Sequence, residues 1–166
     1  VVRIDDMATE VTPDIKFDYD LPADNGFPGQ VGRLGRIVYA DSRNVIVTNR
    51  FHYDLFGNLL ENRQIVPGMN GDQKEFVSRY EYDRNNQLLS ISYPSGRTLF
   101  STRDNLGKIS AISSSLERGS GTESIMIENP VIRNVIYHPF GPPSSIAYKN
   151  DLFQIRYLDS AYRTNG

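Results

Sequence analysis

Three aspartates, Asp54, Asp83 and Asp104, stand in matching phrases: FHYDLFGNL over Phe51–Leu59, YEYDRNNQL over Tyr80–Leu88 and STRDNLGKI over Ser101–Ile109. Carboxylates in pairs can hydrolyse glycosides, one as acid and one as base or nucleophile, when a fold brings two of them to a common cleft. His52 and His138, the only histidines, could serve as general bases, but no G-x-S-x-G elbow supplies a serine nucleophile. His52 lies in an alternating stretch and His138 precedes Pro139 in a turn-like phrase. The run Asp18, Asp20, Asp24 invites a calcium reading, yet Pro22 takes the third ligand position and the closing glutamate is missing. Cysteine is absent, which removes thiolate nucleophiles, disulfides and cysteine-based zinc sites. The string GSGTES at Gly119–Ser124 lacks the Gly-Lys-[Ser/Thr] ending of a phosphate loop. The histidine, calcium and phosphate-loop constellations each miss a part of their chemistry, while the carboxylates stay open because their separation in space is not legible in the sequence.

The elements that would position these residues are strands. Valine, isoleucine, threonine, tyrosine and phenylalanine are frequent and alternate with polar residues, as in Leu88–Tyr93 (LLSISY), Arg97–Arg103 (RTLFSTR) and Ile132–Tyr137 (IRNVIY). Turn signals interrupt them at short intervals: Gly57, Pro67-Gly68, Asn70-Gly71, Pro94-Ser95-Gly96, Gly107 and Gly141-Pro142-Pro143. The pattern predicts an all-β chain of consecutive antiparallel hairpins. Ser113–Arg118 (SSSLER) offers one helical turn, and residues 113–124 as a whole read as a loop. Residues 1–25, broken by Pro13 and Pro22, read as a less regular lead-in or an edge strand.

Asp54 to Asp83 spans 29 positions and Asp83 to Asp104 spans 21, with a Pro-containing turn near the middle of each interval. The longer unit holds the additional Asn70-Gly71 turn. A period in this range marks a repeat whose units are too small to bury an apolar face alone. Within each phrase, an Asp opening a turn can accept a backbone N–H from further along the turn. Gly57, Asn86 and Gly107 are residue types that tolerate positive φ. Turn formation therefore accounts for all three aspartates at once, and Gly96 and Gly141 belong to turns of the same series.

Bulk properties narrow the function classes further. The chain has 166 residues, 39% hydrophobic and 23% charged, enough for one domain or part of a larger one. Its net charge of −2 argues against nucleic acid as the main partner. Arg33, Arg36, Arg43 and Arg50 are spread among acids like a solvated face. No apolar run approaches the length of a membrane helix, and Val1–Glu10 (VVRIDDMATE) carries acids where a signal peptide would be apolar.

The phrases resemble the RHS, or YD-repeat, family, whose recurring unit is Y-D-x-x-G-x-L followed by a Pro-x-Gly turn. The matching residues are Tyr53 to Leu59, Tyr80-Glu81-Tyr82-Asp83, and Tyr93-Pro94-Ser95-Gly96-Arg97. The third unit keeps Asp104 and Gly107 but has Arg103 where tyrosine is usual. Later phrases, Ile136 to Gly141, Tyr148 to Leu152 and Tyr157 to Arg163, are similar to further units, with Asp151 in place of the usual glycine. The opening Phe17-Asp18-Tyr19-Asp20 and Asn25 to Gly29 have the same character. The resemblance runs from about Phe17 to Arg163 and implies a twisted β-strip, part of a shell that in bacterial members encloses a toxic segment and in animal relatives belongs to adhesion receptors. The family's shell-closing autoproteolytic segment has no match here.

Taken together, the expected function is a non-catalytic, cofactor-free segment of such a shell in a secreted or surface protein, residues 1–166 forming one repeat segment of a larger shell. Its expected partners are neighbouring repeats or another chain at open sheet edges, and a toxin cargo or a glycan. The competing reading is a carbohydrate- or protein-binding module that uses an aromatic β-face of Tyr53, Tyr82 and Tyr93. An enzyme built on the acids is the third.

Overall fold

The computed structural model describes residues 2–4, 14–22, 27, 30–40, 45–68, 70–118, 125–139 and 141–165. Asp24, the Asn25-Gly26 and Pro28-Gly29 pairs, Arg43, Phe140 and the GSGTES string lie outside them. The described elements are all strands, and the chain divides into two units, Val1–Gln87 and Leu88–Gly166.

The first unit contains β1 (Val2–Ile4), β2 (Asp14–Tyr19), β3 (Leu34–Ala40), β4 (Val45–Tyr53), β5 (Leu59–Pro67) and β6 (Gln73–Tyr82). Each strand pairs antiparallel with the next in the chain. The register places Asp18, Arg36, Arg50, Arg63 and Val77 side by side across β2 to β6. One position along, Phe17, Ile37, Asn49, Gln64 and Phe76 align in the same way. Since directly opposed residues share a face and successive residues alternate, one face of this unit is ionic.

The second unit contains β7 (Leu88–Ser92), β8 (Arg97–Arg103), β9 (Ile109–Arg118), β10 (Ile125–Tyr137), β11 (Pro143–Tyr148) and β12 (Phe153–Ile155), again each antiparallel to the next. A short hairpin, β13 (Tyr157–Leu158) with β14 (Thr164–Asn165), follows. Pro130 sits inside β10, where it is accommodated by a register shift between Pro130 and Ile132.

One sequence expectation is corrected and a second, the edge strand within residues 1–25, is met in part. Ser113–Arg118 forms neither a loop nor a helical turn but the second half of β9. The serines are small cross-strand partners for large residues: Ser113 opposes Phe100 and Ser114 opposes Leu99. The opening lead-in also contains a full strand, β2, paired with β3 from Asp14 to Tyr19, and an edge strand, β1.

Among the described residues no hydrophobic side chain is buried, whereas Asp18, Gln30, His52, Glu61, Ser90 and Ser115 are. Backbone ladders and cross-strand pairs therefore hold each unit together, with partial burial of both faces in place of a closed core.

Candidate functional site

The recurrent aspartates lie at the corners between strands, and their atoms are used there. At Asp54 the backbone N–H donates to the Asn58 carbonyl (3.0 Å), and the Gly57 N–H donates back to the Asp54 carbonyl (3.2 Å). The Asp54 carboxylate accepts the Asn58 N–H (2.8 Å) and, with its other oxygen, the Asn58 side-chain amide (2.8 Å). Asp83 accepts the Asn85 and Gln87 N–H groups (2.8 and 2.9 Å), and Asp104 accepts those of Leu106 and Lys108 (both 2.9 Å). A three-residue reversal of this kind ends in a left-handed residue. That place is held by Gly57 (φ 97°), Asn86 (φ 59°) and Gly107 (φ 77°).

Asp159 makes a fourth such corner, accepting the Ala161 and Arg163 N–H groups, with Tyr162 left-handed at φ 60°. Corners without a carboxylate follow Tyr93 and Tyr148, with Gly96 (φ 78°) and Asp151 (φ 60°) in the left-handed place. Gly141 donates to the His138 carbonyl (3.2 Å) in the corresponding position, without entering the left-handed region.

Burial raises the Asp54 carboxyl, but donors from Asn58, Gly57 and Phe56 outweigh it and hold the group below its ordinary pKa. Asp159 is lowered too, first by the Arg163 N–H. A carboxylate kept ionised and ringed by amide donors is a poor general acid.

The tyrosines before the corners form a second recurring device. Tyr53 donates its hydroxyl to the Leu34 carbonyl (3.0 Å), Tyr82 to that of Leu59 (3.1 Å) and Tyr137 to that of Ile109 (2.8 Å). Each acceptor is the first residue of a strand, namely β3, β5 and β9. Arg103, which replaces tyrosine in the third phrase, donates instead to Leu88, the first residue of β7 (3.3 Å), and to Gly107 (3.0 Å). Burial raises the Tyr53 and Tyr82 phenols, so both remain donors. Of the three residues of the aromatic face, Tyr53 and Tyr82 thus spend their hydroxyls within the first unit, while Tyr93 is 39% exposed.

The ionic face of the first unit carries a cluster around the buried pair His52 and Glu61, of which the sequence singled out only the histidine. Glu61 accepts from Arg63 (3.0 Å to Nη2) and lies 3.3 Å from Arg79 Nε, while Arg63 also reaches Glu75 (2.6 Å). His52, opposite Glu61 in the ladder, stands 3.6 Å from it through Nδ1 and stacks on Phe27 at 4.5 Å. Nearby on the same face, Asp18 is gripped by Arg36 (2.6 Å) and Lys16 (3.1 Å). Burial raises the Asp18 carboxyl, and the bonds and charges of Arg36 and Lys16 more than reverse this, leaving it lowered. A His–carboxylate pair could orient a general base, but no hydroxyl nucleophile is paired with His52 among the described residues. The only sequence signal for this cluster is charge at alternate positions, as in Glu61-Asn62-Arg63, which becomes legible once the register is known.

The remaining candidates are also engaged. His138 pairs through Nε2 with the Arg156 carbonyl (3.1 Å). Asp20, with φ 56°, accepts the Gly32 N–H. Asp18 and Asp20 are therefore occupied by protein donors, and no cluster of three His, Cys, Asp or Glu residues suited to a metal occurs among the described residues.

No protein-family model and no curated protein matches the sequence. The fold, however, is shared with solved structures. The chain is similar to part of the crystal structure of TcdB2-TccC3-Cdc42, with a TM-score of 0.58 and 11% identity over 92% of this chain. It is equally similar to that of TcdB2-TccC3 without its hypervariable C-terminal region, with a TM-score of 0.59 and 12% identity over 98% of this chain. It spans 9% and 10% of those chains. The all-β, RHS-like fold indicated by the repeated phrases is the fold of this protein.

Proposed function

We propose that this chain is a non-catalytic length of wall in a YD-repeat shell of a secreted or surface protein, contributing to a container for a toxic or other cargo. The observation that carries this reading is the use of the repeated side chains. The carboxylates of Asp54, Asp83, Asp104 and Asp159 each accept amide donors of their own corner, and the corner tyrosines clamp the start of a strand. The residues that recur build the hairpin and leave no recurring group for bond-making. The likeness to about a tenth of two much longer chains supports a role as one stretch of a larger wall. The outer edges of β1 and β12 would then pair with neighbouring repeats, since an open edge presents unsatisfied N–H and C=O groups.

A segment exchange tests the proposal. Placed in the TcdB2-TccC3 chain instead of the stretch it resembles, this segment should leave that chain folded and resistant to limited proteolysis. Hydrogen exchange of the isolated chain should be fast in β1 and β12 and slow in β4 and β9. Cleavage of the hybrid within the exchanged segment, together with uniform protection of the isolated chain, would mean a self-contained module and not a wall segment.

A further inference from the structure

Six lysine and arginine side chains among the described residues are matched by acids. Asp18 holds Lys16 and Arg36, Glu61 holds Arg63 and Arg79, Asp151 holds Arg133 and Asp159 holds Arg163. A cleft of about 580 Å³ in the second unit departs from that pattern. Two cations, Arg97 and Lys149, line it, and none of its lining residues is acidic. Pro130, Val131 and Tyr148 supply apolar surface between β10 and the end of β11.

The cleft exists because β10 is irregular here. The register shift at Pro130–Ile132 sets Val131 out of the ladder with β9, and a bulge of this kind opens space while fixing what surrounds it. Lys149 is held by three contacts. Its N–H donates to the Val131 carbonyl (3.2 Å), its carbonyl accepts from Arg133, and its ammonium donates to Asn129 Oδ1 (2.9 Å). The ammonium carries three donors, and a neutral amide oxygen offsets its charge only in part. Arg97 is anchored by its carbonyl, which accepts the Tyr93 N–H (2.8 Å) across the Gly96 turn. A pair of exposed cations beside apolar surface, with no acid among the residues lining the cleft, suits a ligand that brings carboxylates and an apolar group together.

The polar groups of the cleft decide between ligand classes. Asn129 Oδ1 is used by Lys149 and the Tyr148 hydroxyl by Gln154 (3.1 Å). Ser114 and Asn150 also line the cleft and could meet a neutral sugar, but such a ligand would leave both cations unanswered, whereas an acidic peptide meets the cations and the apolar surface together. We propose that this cleft binds an extended acidic peptide segment, its carboxylates meeting Arg97 and Lys149 and its apolar side chain lying on Pro130, Val131 and Tyr148. This inference stands apart from the wall reading, since a self-contained module could bind the same ligand.

The test uses the full chain and fluorescence anisotropy with a labelled hexapeptide of alternating Glu and Leu. Binding should weaken as salt is raised to roughly 0.3 M. It should weaken by about tenfold or more in Arg97→Gln/Lys149→Gln, the loss expected for removing two charge contacts. A Gln–Leu peptide of equal length should bind as weakly as the double variant binds the Glu–Leu peptide. In the unaltered protein, amide chemical shifts of Val131 and Lys149 should move on titration, which needs no variant to fold. Equal binding of the Glu–Leu and Gln–Leu peptides, an unchanged affinity in the double variant, shifts confined to other residues or the absence of binding would each overturn the proposal. So would tighter binding of trigalacturonate than of the peptide, which would make this an acidic-sugar site.

Discussion

At Gly57 two constraints coincide. The backbone is left-handed at φ 97°, and a Cβ built there would come within 2.6 Å of the Arg33 guanidinium, which itself donates to the Asp54 carbonyl (3.0 Å). At Gly96 only the first constraint applies, since an added Cβ meets nothing within 4 Å. Gly57→Val should therefore lower stability by about 1–3 kcal/mol, while Gly96→Ala should cost only about 1 kcal/mol from the left-handed backbone alone. Urea unfolding of the two variants checks the order, and equal losses would show that the Arg33 contact is easily relieved. These corner residues were legible in the sequence because their partners lie within four positions. Glu61 was not, because its partners His52 and Arg79 arrive from other strands and become its neighbours only through register.

At the scale of elements, the clamp from each corner to the start of a strand is the repeated feature. Tyrosine fulfils it at Tyr53, Tyr82 and Tyr137, and Arg103 fulfils it less well, with its buried Nε left without a partner. A buried donor without an acceptor costs about 1–3 kcal/mol. Arg103→Tyr should accordingly leave the melting temperature unchanged or raise it. A clear fall in calorimetry would mean that the second bond, to Gly107, outweighs the unsatisfied nitrogen. The repeated phrase in the sequence pointed to tyrosines on one face, but the acceptors stayed hidden, because a carbonyl has no residue type to reveal it. The serines of β9 misled for a related reason. A run of small polar residues resembles a loop until the large residues opposite it, Leu99 and Phe100, are known.

For the molecule as a whole, stability should depend on acid in one direction. Asp18, Asp54 and Asp159 have folded pKa values below their ordinary ones. The folded state therefore binds fewer protons than the unfolded chain, whose aspartates titrate near about 3.9. Their contribution is complete above that unfolded value and is lost as pH falls through the folded values. The urea midpoint should stay level from neutrality to about pH 5 and decline below about pH 4. A decline that began near pH 6 would count against these carboxylates as its source.

The absence of fully buried hydrophobic side chains among the described residues reaches into the thermal behaviour of the chain. Less newly wetted hydrocarbon on unfolding means a heat-capacity increment below the roughly 12–15 cal/mol/K per residue of compact domains. The free-energy curve should then be shallow against temperature, so that the chain loses its fold gradually on warming and resists the cold better than a protein organised around an oily centre.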